Sequence, residues 1–120
     1  MKHRVNKAIP DLGATEDAIT FPLDVTINEI EVSVDIKHTH RGDLRLTLIS
    51  PQAQNIVLID RSGGSEDNII QSFRSTDEPG LFDAVIGKSA KGDWTLKIED
   101  LAKQDVGVLT KWGLTIAYLA

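Results

Sequence analysis

The 120-residue chain contains no cysteine, and this absence removes several kinds of chemistry at once. It excludes disulfides, thiolate metal ligands and a cysteine nucleophile. The sequence also lacks a run of about 18 apolar residues, so it predicts no membrane-spanning helix. Positive charge opens the chain at Met1 to Arg4, but the apolar core of a signal peptide does not follow. Composition therefore leaves two compartments open: an intracellular chain, or a piece of a longer secreted precursor.

Basic residues are outnumbered by acidic ones, 13 against 18, which gives a formal net charge of −5. Nucleic-acid binding domains carry a basic stripe over the phosphates, so this charge balance argues against a nucleic-acid partner. The length is that of one domain with a core of its own.

Aromatic residues are few: 2 tryptophans, 1 tyrosine and 3 phenylalanines. Both tryptophans open runs in which large apolar residues occupy every second position, as in half-buried strands. The runs are Trp94, Leu96 and Ile98, and then Trp112, Leu114, Ile116 and Tyr118. We therefore expect these rings to face a core, which leaves no aromatic platform for a sugar. A carbohydrate- or surface-binding module remains the alternative function for a fold of this kind.

Short alternating runs separated by turn residues recur about every 8 to 15 positions, and no helical stripe exceeds about two turns. This pattern predicts an all-β sandwich of two antiparallel sheets with about eight strands. The predicted strands cover 18–21, 25–36, 44–49, 56–59, 69–73, 94–98 and 112–118. A slip in the alternation at Asn28-Glu29 predicts a β-bulge. We interpret residues 1–7 as a polar linker and residues 8–120 as the domain.

Candidate catalytic and metal-binding residues are sparse. The chain has three histidines, and its serines do not form a Gly-x-Ser-x-Gly elbow, so the sequence predicts no enzyme. The spacing of His38 and His40 places two imidazoles on one strand face, where zinc would need a third ligand. The structural alternative is that His38 hydrogen-bonds the backbone or a carboxylate near the strand end. Arg41-Gly42-Asp43 spells an adhesive tripeptide, but glycine here favours a tight turn.

Several aspartates fall at expected strand ends or in loops: Asp11, Asp43, Asp93, Asp100 and Asp105. Loops at one end of a sandwich can supply the six to eight oxygens that calcium takes. The best candidates are Asp43, Asp100 and Asp105. The alternative is that these carboxylates cap backbone groups, since the chain has no Asp-x-Asp-x-Asp-Gly pattern.

Six motifs occur in one order along the chain. They are Ile9-Pro10-Asp11, His38-Thr39-His40-Arg41-Gly42-Asp43-Leu44, Leu48-x-Ser50-Pro51, Gly63-Gly64-x-x-Asp67-Asn68, Gly92-x-Trp94-x-Leu96 and Asp100-x-Ala102-x-x-Asp105-x-Gly107-x-Leu109-x-x-Trp112-x-Leu114. Together they closely resemble the P domain, also called the homo B domain, of kexin/furin-like proprotein convertases and bacterial subtilisin-like serine proteases. The resemblance covers nearly the whole chain, from about Ile9 to Leu119.

The resemblance implies a galactose-binding-domain-like jelly roll placed C-terminal to a subtilisin-type catalytic domain. Such P domains have no active site and are associated with the folding, stability, calcium dependence and pH dependence of the protease. The implied function is a non-catalytic accessory domain of a secreted bacterial serine endopeptidase, which aids the folding, stability, calcium dependence or substrate access of the catalytic domain. Its partner is then the catalytic domain of the same chain, with no nucleic acid and no membrane, and the isolated domain is expected to be a monomer.

The same resemblance assigns architectural roles to individual positions. His38, Thr39, Gly42, Asp43 and Leu44 match the motif His-Thr-x-x-Gly-Asp-Leu, and Trp94, Asp100, Asp105, Gly107 and Trp112 match the C-terminal signature. These are implied to be turn glycines, core tryptophans and loop-bonding aspartates. Two positions depart from the family pattern. Ala53 stands where a Ser-Pro-x-Gly hairpin carries glycine, and Val106 stands where threonine is frequent.

Overall fold

The computed structural model describes residues 2–38, 41–61, 67–78, 80–101 and 107–118. Within these ranges the chain forms eight strands and one short 3-10 helix at Arg41–Asp43. The strands are β1 (Lys2–Ile9), β2 (Ala14–Phe21), β3 (Glu29–His38), β4 (Leu44–Ile49), β5 (Asn55–Asp60), β6 (Ile69–Arg74), β7 (Gly92–Asp100) and β8 (Gly107–Ala117). The all-β prediction is confirmed. In the described ranges no helix has the length and apolar character needed to cross a membrane.

The strands form two four-stranded sheets, with the orders β1-β8-β3-β6 and β2-β7-β4-β5. Strands of the first half of the chain pair with strands of the second half in reverse order. These antiparallel pairs are β1 with β8, β2 with β7, β3 with β6 and β4 with β5. This wrapped arrangement of eight strands in two sheets is a jelly roll. Odd-numbered strands therefore end, and even-numbered strands begin, at the same end of the sandwich.

The core lies between the sheets and is built from alternate residues of each strand. Trp94, Leu96 and Ile98 of β7 and Trp112 and Leu114 of β8 are all fully or almost fully buried. The prediction that both indoles are interior is therefore confirmed. Tyr118 was expected on the same face, but it is 38% exposed. Because β8 ends at Ala117, strand geometry no longer imposes the alternation there.

The N-terminal stretch is part of the first sheet, although its polar composition predicts a linker over residues 1–7. Residues 2–9 form β1, an edge strand paired with β8. An edge strand contributes few side chains to the core, and here Ile9 is buried while Val5 packs against the core from a half-buried position. A register shift between Arg4 and Lys7 places Asn6 at φ 52°. The division of the domain at residue 8 stays a prediction.

The slip in alternation at Asn28-Glu29 is not the β-bulge that the sequence predicts. β3 begins at Glu29, and Ile27 belongs to a separate segment held by the loop before β7. The Ile27 amide donates to the Lys88 carbonyl at 2.9 Å, and the Gly87 amide donates to the Ile27 carbonyl at 2.8 Å. The segment that contains Ile27 and strand β3 are therefore held separately. The alternation of buried and exposed residues does not have to continue from one to the other. The irregularity of β3 lies further on, between Asp35 and Ile36 in its pairing with β8.

The predicted hairpin at Ser50-Pro51 is confirmed as the connection of β4 to β5. The Ala53 amide donates to the Ser50 carbonyl at 2.9 Å, and the Ser50 amide donates to the Gln54 carbonyl at the same distance. Ala53 has φ 64°, the left-handed conformation that favours glycine. The turn therefore keeps the backbone expected of a Ser-Pro-x-Gly hairpin even though alanine occupies the glycine position.

Candidate functional site

Described residues of four of the six sequence motifs converge at the end of the sandwich where odd-numbered strands finish. We call this region the His38 end and define it by the turn 10–13, the segment 41–43, residues 67–68, residues 100–101 and Gly107. His38 closes β3 and pairs with Gly107, which opens β8, while Asp100 closes β7 at the same end of the facing sheet. Motifs far apart in sequence thus meet because each flanks a strand terminus at one end of the fold.

A buried histidine–aspartate contact joins the two sheets at this end. His38 Nε2 lies 3.3 Å from Asp100 Oδ2, and both side chains are 0% exposed. His38 faces inward because it continues the alternation of Val34 and Ile36 along β3. The contact with a carboxylate near the strand end is the structural role that the sequence allows for His38. Because both side chains are shielded from solvent, the contact fits a structural role in joining the two sheets.

Asn68 extends the ladder beyond the end of β3, a role that sequence reasoning missed. The His38 amide donates to Asn68 Oδ1 at 2.9 Å, and the Asn68 amide donates to the His38 carbonyl at 2.8 Å. Asn68 has φ 61°, a conformation that asparagine tolerates better than most residues. The signal in the sequence was the Asp67-Asn68 pair directly before a strand, where an asparagine side chain bonds nearby backbone.

Gly107 lets β8 approach β3 closely at the same point. A Cβ at this position would collide with the Lys37 carbonyl oxygen and would lie 2.8 Å from His38 Cδ2. Gly107 is paired with both Ile9 and His38, so it stands in the middle of the first sheet. The glycine is therefore needed for space.

The segment 41–43 is a 3-10 turn in which Asp43 is buried. Its carbonyl accepts from the Leu101 amide at 2.9 Å, while the Asp100 amide donates to the Gly13 carbonyl at 2.9 Å. These bonds connect the loop after β3, the loop after β7 and the turn after β1. The tight turn predicted at Gly42-Asp43 is confirmed, and the burial of Asp43 does not suit an exposed adhesive tripeptide.

The structure describes only some of the residues proposed for metal binding. Asp43 and Asp100 lie at the His38 end and are buried, while Thr39, His40, Asp105 and Val106 lie outside the described residues. Across the parts of the chain that the structure describes, no three His, Cys, Asp or Glu side chains are grouped to hold a metal ion. The calcium site at Asp43, Asp100 and Asp105 and the zinc site at His38 and His40 therefore stay predictions.

A second buried polar cluster, which sequence reasoning missed, lies where β1 meets β2. Trp112 Nε1 donates to Asp17 Oδ2 at 2.8 Å, and Lys7 Nζ lies 3.2 Å from Asp17 Oδ1. Asp17 is buried although it is an acid in a polar stretch, because alternation along β2 points it inward with Ile19 and Phe21.

The indole of Trp94 also has a partner inside the domain, since Trp94 Nε1 donates to the Ala90 carbonyl at 2.9 Å. Both indoles thus have internal partners, which fits an architectural role.

The surface offers no aromatic platform. All six aromatic residues lie in the described ranges, and Tyr118 is the single one among them that is exposed. A shallow cavity of about 330 Å³ on the outer face of the first sheet is lined mainly by Ser33, Asp35, Ile70, Ser72 and Lys111. Sugar binding needs flat aromatic area, so the carbohydrate-binding alternative has no support.

Fold and site together define a β-sandwich domain whose motif residues hold its own loops in place. The family model "Proprotein convertase P-domain" matches residues 27–116, and the chain belongs to this family. A calcium-dependent protease of Trichormus variabilis is 34% identical over 113 residues, which are 92% of this chain and 17% of the relative. An extracellular basic protease of Dichelobacter nodosus is 28% identical over 110 residues, or 90% of this chain and 17% of that protein.

Among solved structures, the serine protease of Aeromonas sobria contains a similar fold. The TM-score is 0.76 at 19% sequence identity, and the match covers 97% of this chain and 26% of that chain. At this identity the likeness shows the fold alone. The chain spans about a sixth of the curated relatives' length, since the match covers 17% of each of the two proteases named above.

Proposed function

We propose that the chain is a non-catalytic accessory P domain that stabilises the catalytic domain of a secreted subtilisin-like serine protease. The observation that supports this proposal is that the residues of the family motif form contacts within the domain itself. Four motif residues make hydrogen bonds or close contacts that join the two sheets and their loops: His38, Asp100, Asn68 and Gly107. Motif residues that hold the loops and sheets of their own domain in place are consistent with a domain that presents a fixed surface to a neighbouring domain.

The stabilising mechanism follows from linkage. A domain that binds only the folded form of its neighbour raises that neighbour's stability by an amount set by affinity and local concentration. Tethering within one chain gives a local concentration in the millimolar range. With a dissociation constant of about 1 μM, such a contact adds about 4 kcal/mol. A modest interface is therefore enough for a large effect on the protease.

The secreted location is supported by the similarity to the extracellular protease of Dichelobacter nodosus. The proposed partner is the subtilisin-like domain of the same chain, which lies outside these 120 residues.

The test compares the protease with and without this domain. We expect deletion of the domain to lower the yield of active protease and to shorten its half-life during heating. Adding the separate 120-residue chain should restore part of that half-life, whereas a second copy unfolded by a core substitution, Trp94→Asp, should not. An unchanged half-life after deletion would refute the accessory role.

Calcium binding by this chain is a second part of the proposal, supported by the name of the Trichormus relative. Asp43 and Asp100 are both buried at the His38 end, and calcium takes carboxylate oxygens as ligands. Asp105, the third candidate, lies outside the described residues. A melting scan of the isolated chain in calcium and in chelator tests the idea. Calcium at a hundred times its dissociation constant adds about 2.7 kcal/mol, and equal melting temperatures would leave these aspartates purely structural.

A further inference from the structure

Strand β6 lies at an edge of the first sheet, and β3 is its one neighbour among the described strands. Gln71 is exposed, although alternation places it on the inner face between the buried residues Ile69 and Phe73. Arg41 reaches this rim and donates from Nη2 to Gln71 Oε1 at 3.4 Å, a bond to the side chain rather than to the backbone. The sandwich is therefore open along β6.

Backbone hydrogen bonds at the two ends of the β3–β6 pair show which groups of β3 face β6. At one end the Ser75 amide donates to the Ile30 carbonyl at 2.9 Å, and at the other end the Asn68 amide donates to the His38 carbonyl at 2.8 Å. Successive residues of an antiparallel strand turn their N–H and C=O groups to opposite sides. Since Ile30 and His38 are both even-numbered, the even-numbered residues of β3 bond to β6.

The groups of β6 that face away from the sheet follow from the register. The even-numbered residues of β3 stand opposite Ile69, Gln71 and Phe73, so these three residues bond to β3. Ile70 and Ser72 therefore turn their N–H and C=O groups to the open side. The described backbone bonds outside the strand ladders include none from these two residues.

The other three edge strands have features that oppose the addition of a further strand. β1 has a register shift between the cations Arg4 and Lys7, and Lys7 Nζ covers the edge of β2 by donating to the Glu16 carbonyl at 2.8 Å. β5 has a register shift in its pairing with β4 and ends in Asp60. Charges, bulges and covering groups are the means by which proteins protect sheet edges. β6 pairs with β3 without a shift, has no proline or glycine, and carries its one charge at its last residue, Arg74.

We propose that two copies of this domain pair through their β6 strands, antiparallel and across a two-fold axis, so that two four-stranded sheets become one sheet of eight strands. A free strand edge matches another extended backbone, and the edge of a second copy is complementary to it by symmetry. With the axis at Gln71, Ile70 of each copy faces Ser72 of the other, and the two residues exchange both backbone bonds. This register uses only groups that point to the open side. It does not need the Arg74 carbonyl, which already accepts from the Asp77 amide at 3.1 Å.

The side chains of β6 are compatible with this self-pairing. Ile70 is 67% exposed, the highest value for a large apolar residue in the described ranges. In the proposed register the two copies of Ile70 are diagonal neighbours about 7–8 Å apart, within reach of each other across the outer face. Residues 69–73 carry no charge, so no like charges stand opposite each other. Pairing thus covers exposed apolar surface without electrostatic conflict along the strand.

The size of the contact predicts a weak dimer. Complexes that persist in dilute solution bury about 800 Å² on each partner and use about 20–30 residues a side, more than one edge strand supplies. The formal charge of −5 on each copy adds a repulsion that salt screens. We therefore expect a dissociation constant of about 0.1–1 mM that falls as salt is added. At lower concentrations the chain is then a monomer, as the family resemblance implies.

The test is sedimentation equilibrium of the 120-residue chain up to about 2 mM, with two variants on β6 and a matched control for each. Ser72→Pro removes an N–H that points to the open side and leaves the bonds to β3 in place, whereas Ser72→Ala keeps that N–H. Ile70→Lys places a charge on the edge. Val57→Lys places the same charge on β5, at a residue that is 46% exposed.

We expect the average mass of the wild-type chain to rise toward that of a dimer as its concentration increases. Ser72→Ala and Val57→Lys should behave in the same way, whereas Ser72→Pro and Ile70→Lys should weaken the association at least tenfold. In NMR spectra the amide resonances of Ile70 and Ser72 should shift with concentration. Because Ile70→Lys changes an exposed side chain, it keeps the test decisive even where Ser72→Pro fails to fold.

Three results would overturn the proposal. A wild-type chain that stays monomeric at about 2 mM would exclude a second copy and leave the edge to a strand of another protein. Equal weakening by Val57→Lys and Ile70→Lys would trace the effect to added charge rather than to β6. Concentration-dependent shifts confined to residues outside β3 and β6 would place the contact elsewhere. None of these measurements involves a protease, so they leave the proposed accessory function untouched.

Discussion

The imidazole of His38 and the carboxylate of Asp100 meet at 3.3 Å across the two sheets, and neither side chain is exposed. This contact closes the His38 end because the two residues terminate β3 and β7, the strands at the middle of their sheets. Replacing one member of a buried polar pair lowers the stability of the fold, because the other member stays buried and loses this bond.

We therefore predict that His38→Ala lowers the free energy of unfolding by about 2–4 kcal/mol. Asp100→Ala should cost a similar amount. The double variant should cost clearly less than the sum, because both single changes remove the same contact. Urea unfolding of the four proteins measures this coupling. Strictly additive losses would mean that the two side chains do not depend on each other.

At the opposite end of the sandwich, Ala53→Gly should stabilise the domain. Ala53 holds φ 64°, and glycine adopts this conformation without steric cost. We expect a gain of about 0.5–1 kcal/mol, seen as a higher urea midpoint at an unchanged m value. Ala18→Gly on β2 is the control, because Ala18 is also exposed but lies in a regular strand. That change should lose about 0.5–1 kcal/mol.

Gly107→Ala should be among the most damaging single-methyl additions. The new Cβ would meet the Lys37 carbonyl and the His38 ring, which are fixed by the ladder and by Asp100. We expect a loss of about 2–3 kcal/mol by overpacking, together with shifted NMR resonances of the His38 ring. Gly87→Ala provides the contrast, because φ is 84° but a Cβ there has no neighbour within 4 Å. Its loss should be about 1 kcal/mol, from backbone strain alone. Equal losses would exclude crowding as the cause.

The sequence predicted those parts of the fold whose residues carry a strong period. Trp94 and Trp112 open clean alternating runs, so their burial followed from strand geometry. The jelly roll came from the family resemblance, because no local pattern reveals which strand ends meet. The contact of His38 with a carboxylate was one of two alternatives that its place near a strand end left open. The close packing at Gly107 was missed, since the resemblance implies a turn glycine there. β1 was missed since an edge strand buries few side chains, here mainly Ile9. The bulge expected at Asn28-Glu29 was wrong because alternation cannot distinguish one kinked strand from two segments. The metal candidates at Asp43, Asp100 and Asp105 stay predictions.

The Asp17 cluster gives a prediction in which two contacts with the same carboxylate differ in their response to salt. The Trp112 indole bond is buried, whereas Lys7 is 46% exposed, so its ion pair is open to screening. Asp17→Ala should lose about 1–3 kcal/mol, because the indole N–H is left buried without an acceptor. Lys7→Ala should lose less than about 1 kcal/mol in dilute buffer, and most of that loss should vanish in 1 M NaCl. The loss from Asp17→Ala should persist in salt. Equal losses for the two variants, or a salt-sensitive loss for Asp17→Ala, would show that the ion pair with Lys7 rather than the indole bond with Trp112 accounts for the stability that Asp17 contributes.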